Sequence, residues 1–194
     1  MNSLSRKNLM FNNHFISFEG LSGVGKSTIS KLYAEKIGAK LIGTIPESFS
    51  SLRKILDTPT TNIHARFLFY LAAVLEGEKS LKVALCSKNV VVESYLYRTI
   101  AFHRGMGSNL DISIPEDILL PNVVFYLTCE EKERQRRRAT RGKHETYWDC
   151  LAERNAGNIL HEYQHFKMDS IDTTHLKPEE IVDKLINRLG GKHD

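Results

Sequence analysis

The stretch "FEGLSGVGKST", Phe18–Thr28, decides the fold of this chain. Gly20, Gly25, Lys26 and Ser27 complete the pattern G-x-x-x-x-G-K-S/T. An apolar run that predicts a strand precedes the stretch, and "ISKLYAEKI", which predicts a helix, follows it. Between a strand and a helix, this pattern forms a loop whose backbone N–H groups surround the phosphates of a nucleotide. We therefore predict a phosphate-binding loop, or P-loop, at this junction.

The residues of this loop have distinct predicted roles. Backbone N–H groups from about Ser22 to Thr28 point at the β-phosphate, and the N-terminus of the following helix supports them. Lys26 places a positive charge between the β- and γ-phosphates, and the Ser27 hydroxyl coordinates Mg²⁺. The predicted phosphate-binding set is Gly20, Ser22, Gly23, Val24, Gly25, Lys26, Ser27 and Thr28.

Length and composition bound the class of protein. The 194 residues suffice for one domain, and 41% hydrophobic with 26% charged residues is typical of a globular protein in water. The longest apolar run, Phe67–Leu75, is too short to span a bilayer, so we expect no membrane partner. Three scattered cysteines predict reduced thiols and a cytoplasmic location. We expect a loose lead-in over residues 1–13 and one domain over residues 14–194.

Positive charge is concentrated in "ERQRRRATRGKH", Glu133–His144, although the net charge is only +4. The cluster is nearly free of aromatic residues, which argues against a nucleic-acid polymer as the partner. Two interpretations remain for it. It is either a solvated helix face or, as the upstream P-loop favours, a lid over about residues 134–146 that grips phosphates.

Strand-like runs alternate with helical patterns along the chain. The predicted strands are Phe15–Glu19, Lys40–Thr44, Asn89–Glu93, Val123–Leu127 and Ser170–Asp172. The predicted helices are Ser27–Ile37, Ser50–Leu56, Ile63–Ser87, Ser94–Arg104, Glu130–Ala139, Tyr147–Phe166 and one that begins at Pro178. This alternation predicts a parallel sheet with helices on both faces, whose ligands lie at the carboxyl ends of the strands.

Two absences narrow the class of P-loop protein. The sequence has no N-K-x-D-type element of a GTPase, and "VVFYLTCE" does not end in a strong Walker B aspartate. The third strand instead ends in Glu93, which could reach Mg²⁺ directly or through water. These features favour a small kinase over a GTPase or a motor ATPase.

The chain resembles the thymidylate kinase-like group of P-loop kinases. The resemblance runs over roughly Phe15–Leu189, and its specific motifs are "FISFEGLSGVGKST" and the lid in "LPNVVFYLTCEEKERQRRRATRG". It implies an α/β three-layer P-loop NTPase fold with a five-stranded parallel sheet, ATP as donor, Mg²⁺ and a nucleoside monophosphate as acceptor. It also implies that Arg137 and the pair Thr173–Thr174 hold the adenine, and that Arg141 contacts the phosphates.

The acceptor side departs from the pattern of that family. Ala72 and Ala73 stand where the family has an Asp-Arg pair, although Phe69 matches its base-stacking phenylalanine. Ser48 and Ser94 stand where arginines are expected. Either the acceptor carries no phosphate there or other arginines bind it, because an uncompensated buried charge costs several kcal/mol. The candidate replacements are Arg53, Arg66, Arg98 and Arg104.

Several acceptor-side residues have two interpretations. Glu47 matches the general base of the related deoxynucleoside kinases, or it caps the following helix. Glu93 binds metal or acceptor, or it is a buried structural carboxylate. Phe69 stacks on a base or belongs to the core, and Tyr95 is a candidate to read a sugar or base. The predicted acceptor-binding set is Glu47, Phe69, Glu93, Tyr95, Arg98 and Arg104.

Together these residues predict an ATP-dependent phosphotransferase that acts on a small molecule, a nucleoside or a nucleotide. The predicted catalytic residues are Lys26, Glu47, Glu93, Arg137 and Arg141, with Ser27 and Glu93 at the metal. Two alternatives remain open: a true thymidylate kinase with relocated arginines, and a nucleotide-binding regulatory protein without phosphotransfer. The helix Ile63–Ser87 is apolar enough to permit a homodimer.

Overall fold

The fold is an all-parallel sheet of five strands with helices on both faces. It was obtained as a computed structural model that describes residues 12–142 and 144–190. The strands are β1 (Phe15–Glu19), β2 (Lys40–Ile42), β3 (Val90–Val92), β4 (Val123–Thr128) and β5 (Asp169–Asp172). Their spatial order is β2-β3-β1-β4-β5, with every neighbouring pair parallel. The predicted α/β fold class is confirmed.

Eight α-helices connect or follow these strands in the described part of the chain. They are α1 (Lys26–Lys36), α2 (Ser50–Leu56), α3 (Ile63–Leu85), α4 (Leu96–Gly105), α5 (Glu131–Thr140), α6 (Tyr147–Arg154), α7 (Ala156–Tyr163) and α8 (Pro178–Gly190). None of them, over the residues described, combines the length and apolar character needed to cross a bilayer.

The central strands are buried on both faces, which is why they are continuous apolar runs in the sequence. Ile16 and Phe18 of β1 pack with Tyr33 of α1 and Phe125 of β4, while Phe15 on the opposite face packs with Tyr95. The two faces thus form two cores joined through the sheet.

The predicted element boundaries agree with the structure within two residues, with one exception. The sequence predicts a single helix Tyr147–Phe166, but α6 ends at Arg154 and α7 begins at Ala156. Asn155 lies between them, and its side-chain amide donates to the Leu151 carbonyl oxygen at 2.9 Å. This local bond competes with the regular helical ladder and accompanies the break.

Three further predictions concern parts outside the sheet. Residues 1–11 of the predicted lead-in lie outside the described residues, while the Asn13 side chain donates to the Leu85 carbonyl oxygen at 2.8 Å. The three cysteines are unpaired, as predicted. Leu68, Leu75 and Val83 of α3 are exposed apolar side chains. The homodimer through this helix remains a prediction.

Candidate active site

The P-loop follows β1 at the centre of the sheet, where the chain crosses over to both sides. Gly20 has φ 131°, and a Cβ at this position would lie 2.4 Å from the Leu127 carbonyl oxygen of β4. Gly23 has φ 94°, and a Cβ there would lie 2.8 Å from the Arg134 carbonyl oxygen. Only glycine fits both positions, so the loop keeps its backbone N–H groups open toward a ligand.

Lys26, the P-loop lysine, is folded back against its own loop. Its ammonium group donates to the carbonyl oxygens of Gly20 and Leu21 at 3.0 and 2.8 Å. Burial, followed by the nearby Arg98 charge, lowers the Lys26 pKa to about 7. A bound polyphosphate would supply the negative charge that restores the charged form of this side chain.

Ser27 and Glu93 meet at the carboxyl end of the sheet. The Ser27 hydroxyl donates to Glu93 Oε1 at 2.7 Å, which joins the start of α1 to the end of β3. Both side chains are exposed to the cleft rather than buried in the core. The two residues predicted as metal ligands therefore lie side by side.

The arginine-rich segment lies against the P-loop, where the sequence predicts a lid. Arg141 donates to the Ser22 hydroxyl at 3.0 Å, and Arg134 of α5 donates to the Ser22 carbonyl oxygen at 2.9 Å. Arg138 of α5 pairs with Glu145 and with Glu153 of α6. Arginine side chains from this segment thus surround one edge of the loop.

Arg137 joins α5 to the loop that follows β5. Its guanidinium donates to the Thr173 hydroxyl at 3.0 Å and to the carbonyl oxygens of Thr173 and Thr174 at 2.7 and 3.1 Å. The Thr173 hydroxyl in turn donates to the Val24 carbonyl oxygen at 3.0 Å. The structure therefore brings together the residues that the resemblance assigns to the adenine, directly beside the P-loop.

A cavity of about 420 Å³ extends from the P-loop between α3, α4 and α6. Ser22, Glu93 and Arg98 line it near the P-loop. The guanidinium carbon of Arg98 lies 3.6 Å from the centroid of the Phe102 ring, and Arg98 forms no ion pair with any described residue. An unpaired cation next to the phosphate loop favours an anionic group in this part of the cavity.

The far end of the cavity is a polar cluster built around Arg66 of α3. Arg66 donates through Nε to Asp57 at 2.9 Å and lies 2.8 Å through Nη1 from His103 Nε2. Its guanidinium carbon is 4.5 Å from the ring centroids of both Tyr70 and Trp148. Burial, then the Arg66 charge, lowers the His103 pKa to about 3, so this imidazole is neutral and accepts the hydrogen bond from Arg66.

Four of the predicted acceptor residues contribute little or nothing to the cavity: Glu47, Phe69 and Arg104 do not line it, and Tyr95 is almost fully buried. Glu47 is exposed in the short 3₁₀ turn before α2 and does not line the cavity. Phe69 is buried against Phe49 and Tyr70, with ring centroids 5.6 and 5.2 Å apart. Arg104 lines a separate surface groove with Asp111. Tyr95 borders the cavity but is 1% exposed.

Several residues of the site have no assigned role in the sequence analysis. Glu19 is fully buried beneath the P-loop, where it accepts from the Tyr95 backbone N–H at 2.9 Å and from the Ser17 hydroxyl at 3.1 Å. Burial raises the Glu19 pKa to about 7, against the lowering effect of these hydrogen bonds. Its signal was a carboxylate at the end of a mainly apolar strand. Asp57 and Arg134 carried no comparable signal, because neither belongs to a motif and the contacts of Arg134 with Ser22 and Glu153 are remote in sequence.

Known proteins resemble this chain over nearly its whole length. The family model described as thymidylate kinase matches residues 18–184. A probable thymidylate kinase of Methanocaldococcus jannaschii is 31% identical over 190 residues, covering 93% of this chain and 97% of that protein. A thymidylate kinase of Leptospira borgpetersenii is 27% identical over 195 residues, covering 89% and 91%.

Solved structures share the fold at lower identity. The thymidylate kinase of Candida albicans superposes with a TM-score of 0.75 at 16% identity, covering 93% of this chain and 92% of that one. A deoxyadenosine kinase of M. mycoides with bound dATP gives a TM-score of 0.68 at 20% identity, covering 91% and 99%. The family match, the extent of the sequence similarity and the P-loop geometry agree. The chain therefore belongs to the thymidylate kinase family of ATP-dependent phosphotransferases.

Proposed function

We propose that this protein transfers the γ-phosphoryl group of ATP to a nucleoside monophosphate, with thymidylate as the acceptor. The observation that carries the proposal is Arg98, whose guanidinium lines the cavity beside the P-loop and has no ion-pair partner in the part of the chain that the structure describes. A phosphate on the acceptor would occupy this position. Arg98 would then replace the family arginines that are missing at Ser48, Ala73 and Ser94.

The position of Glu47 also supports a phosphate acceptor over a neutral nucleoside. A nucleoside hydroxyl must lose a proton as it attacks, which requires a carboxylate within hydrogen-bond reach. A phosphate oxygen is already ionised at neutral pH and needs no such base. Glu47, the residue predicted as that base, is exposed and does not line the cavity, and Glu93, a carboxylate that lines it near the P-loop, accepts from Ser27 and would bind the metal.

Different residues of the chain would bind the donor phosphates, the donor base and the acceptor phosphate. The amides of the P-loop and the Lys26 ammonium hold the β- and γ-phosphates, and the Arg141 guanidinium lies at Ser22, next to the phosphate that moves. Arg137 with Thr173 and Thr174 would hold the donor base. Arg98 would hold the acceptor phosphate in line, so that positioning and charge stabilisation supply most of the catalysis.

The pair Ser27–Glu93 fits a magnesium ion. Mg²⁺ is usually held by one or two protein oxygen ligands together with substrate phosphates. No group of three or more His, Cys, Asp or Glu side chains suited to a metal occurs among the residues that the structure describes. A hydroxyl and a carboxylate 2.7 Å apart at the P-loop match this mode. When bound, the ion would neutralise charge on the β- and γ-phosphates.

The far end of the cavity suits the base of the acceptor. Tyr70 and Trp148 provide aromatic surface, and Arg66 and Asp57 provide a donor and an acceptor of hydrogen bonds. Aromatic walls with a few placed polar groups are typical of a nucleotide-base pocket. Tyr70, one residue after the buried Phe69, supplies aromatic surface on this side.

The test is a product analysis by mass. The purified protein is incubated with ATP, Mg²⁺ and either thymidylate or thymidine, and we expect thymidine diphosphate from the former and no monophosphate from the latter. Lys26→Ala should abolish the product, while Lys31→Ala, an exposed lysine of the same helix, should not. Thymidine monophosphate as the main product, or unchanged activity in Lys26→Ala, would refute the proposal.

A further inference from the structure

Arg134 is the largest fully buried side chain of the described residues, although it belongs to the charged helix α5. An arginine can be buried only where its charge and its donors are satisfied. Its guanidinium donates to Glu131 at 2.9–3.1 Å, to Glu153 of α6 and to the Ser22 carbonyl oxygen at 2.9 Å. Burial lowers the Arg134 pKa, but hydrogen bonds to Glu153 and Glu131 together with their negative charges outweigh this effect, so the pKa is raised.

One guanidinium thus connects the P-loop directly to α6. The contact with Ser22 lies inside the phosphate loop, where Arg141 holds the Ser22 hydroxyl. The contact with Glu153 lies near the end of α6, and Glu153 itself lines the acceptor cavity. The bridge therefore has one end in the donor site and the other in the acceptor site.

The residues around this bridge are closely packed. A Cβ on Gly23 would lie 2.8 Å from the Arg134 carbonyl oxygen and 2.8 Å from Arg138 Cγ. Glu153 also accepts from Gln135 and pairs with Arg138, so three α5 side chains from two consecutive turns converge on it. Close-packed contacts of this kind transmit a displacement rather than absorb it.

Helix α6 in turn forms one wall of the acceptor cavity. Trp148, Asp149, Ala152 and Glu153 all line it. Trp148 lies against the Arg66 guanidinium at 4.5 Å and donates to the Thr58 carbonyl oxygen at 3.2 Å. A shift of α6 would therefore change both the shape of the cavity and the surroundings of Trp148.

We propose that Arg134 is a positioning residue that couples the triphosphate site to the acceptor cavity through Ser22 on one side and Glu153 on the other. This inference rests on the proposed function for the identity of the acceptor but not for its main test. Binding of a triphosphate at the P-loop alters the position of Ser22, and Arg134 passes that change to α6. The acceptor then meets a cavity already shaped by the donor.

The main test uses Trp148, which is the single tryptophan of the chain, as a reporter on α6. The β,γ-imido analogue of ATP is titrated while tryptophan emission is recorded, and calorimetry measures the binding itself. We expect an emission change in the wild type and its loss in Arg134→Met, which still binds the analogue. Arg136→Met is the matched control, because Arg136 is exposed on the same helix and pairs with Glu133.

A second measurement addresses the acceptor. The analogue should lower the Kd for thymidylate at least about 5-fold in the wild type. In Arg134→Met it should leave this Kd unchanged. If Arg134→Met does not fold, Arg134→Lys replaces it, since a single ammonium cannot span Ser22 and Glu153 as a guanidinium does. We expect a reduced emission change in that variant at equal saturation.

The outcomes separate the two proposals. An emission change in Arg134→Met, or in the Lys variant used in its place, equal to that of the wild type overturns the coupling. A wild type that binds the analogue with no emission change overturns it too. A wild type that shows the emission change but makes no diphosphate from thymidylate overturns only the proposed acceptor. A wild type that does not bind the analogue overturns both proposals.

Discussion

Arg137 donates to the Thr173 carbonyl oxygen at 2.7 Å, which fixes a lid arginine against the loop after the last strand. Because a further donor of the same guanidinium reaches the Thr174 carbonyl oxygen at 3.1 Å, the side chain is held in one orientation beside the P-loop. We propose above that this pair holds the donor base, and the first prediction tests that assignment.

Arg137→Met should raise the KM for ATP by about 10-fold, the effect of losing hydrogen bonds to a charged donor, while the KM for the acceptor changes little. Steady-state kinetics with each substrate varied in turn measures both constants. Arg136→Met, in the preceding position and exposed, should leave both within about 2-fold. A larger change in the acceptor KM than in the ATP KM would contradict the assignment of Arg137 to the donor.

Arg98→Met should raise the KM for thymidylate by about 10- to 100-fold, because the acceptor phosphate would lose its charge partner in the cavity. Arg104→Met is the informative comparison. Arg104 lies on the same helix but lines a separate surface groove, so its loss should have little effect on kinetics. An equal increase in the KM for thymidylate in Arg98→Met and Arg104→Met would contradict the assignment of the acceptor phosphate to Arg98.

His103 should make stability depend on pH. Its folded pKa of about 3 lies below its unfolded value of 6.5, so the unfolded chain binds a proton that the folded protein does not. The His103 contribution to the free energy of unfolding should therefore decrease as pH falls from 6.5 toward 3, by up to about 1.4 kcal/mol per pH unit. Chemical denaturation of the wild type and of His103→Gln across this pH range measures the His103 contribution to the free energy of unfolding. A gap between the two proteins that is independent of pH would refute this prediction.

Glu19 should make stability depend on pH in the opposite direction to His103. Its folded pKa of about 7 exceeds its unfolded value of 4.5, so its contribution is complete below pH 4.5 and is lost as pH rises through 7. Glu19→Gln keeps an acceptor for the Tyr95 N–H and carries no charge. The stability of this variant relative to the wild type should therefore increase between pH 4.5 and 7 by about 3 kcal/mol and then level off. An unchanged difference over that interval would mean that the carboxyl ionises freely.

Gly23→Ala should weaken ATP binding by more than about 10-fold, because the added methyl group would collide with α5 and displace the loop. The control is Gly107→Ala. Gly107 has φ 104°, close to the 94° of Gly23, but open space around its Cβ position. A loss of affinity for the ATP analogue that is equal in both variants reports backbone strain. Any additional loss in Gly23→Ala reports the collision with α5. Calorimetric titration with the imido analogue measures both, and equal affinities in the two variants would exclude a role for the contact with Arg134.

The fold could be predicted from the sequence because its signals are local. Buried parallel strands such as Val90–Val92 are unbroken β-branched runs, and the P-loop pattern marks the junction of β1 and α1. The break at Asn155 was missed for the same reason. Ile159 and Tyr163 continue the helical period of Trp148, so the pattern does not reveal that a side chain interrupts the backbone ladder.

The site was predictable only where a motif carries it. Arg137 and Arg141 follow a strand at a recognisable distance from the P-loop, and the structure places both at the loop's edge. The positions of Glu47 and Phe69 could not be predicted, because one residue of shift along a helix or turn moves a side chain out of the cavity. Arg134 was read only as part of a charged run, since nothing in its neighbourhood shows that Glu153 and Ser22 surround it.

The strand order has a consequence for how such enzymes diversify. With β1 in the middle, the residues proposed to hold the donor base follow β4 and β5, whereas Arg66, Tyr70 and Arg98 of the proposed acceptor pocket belong to α3 and α4, before and after β3. Substitutions on one flank can therefore accumulate while the other stays intact. Ala72 and Ala73, which stand where the resemblance implies an Asp-Arg pair, lie on the proposed acceptor flank, and the complete P-loop motif lies outside that flank.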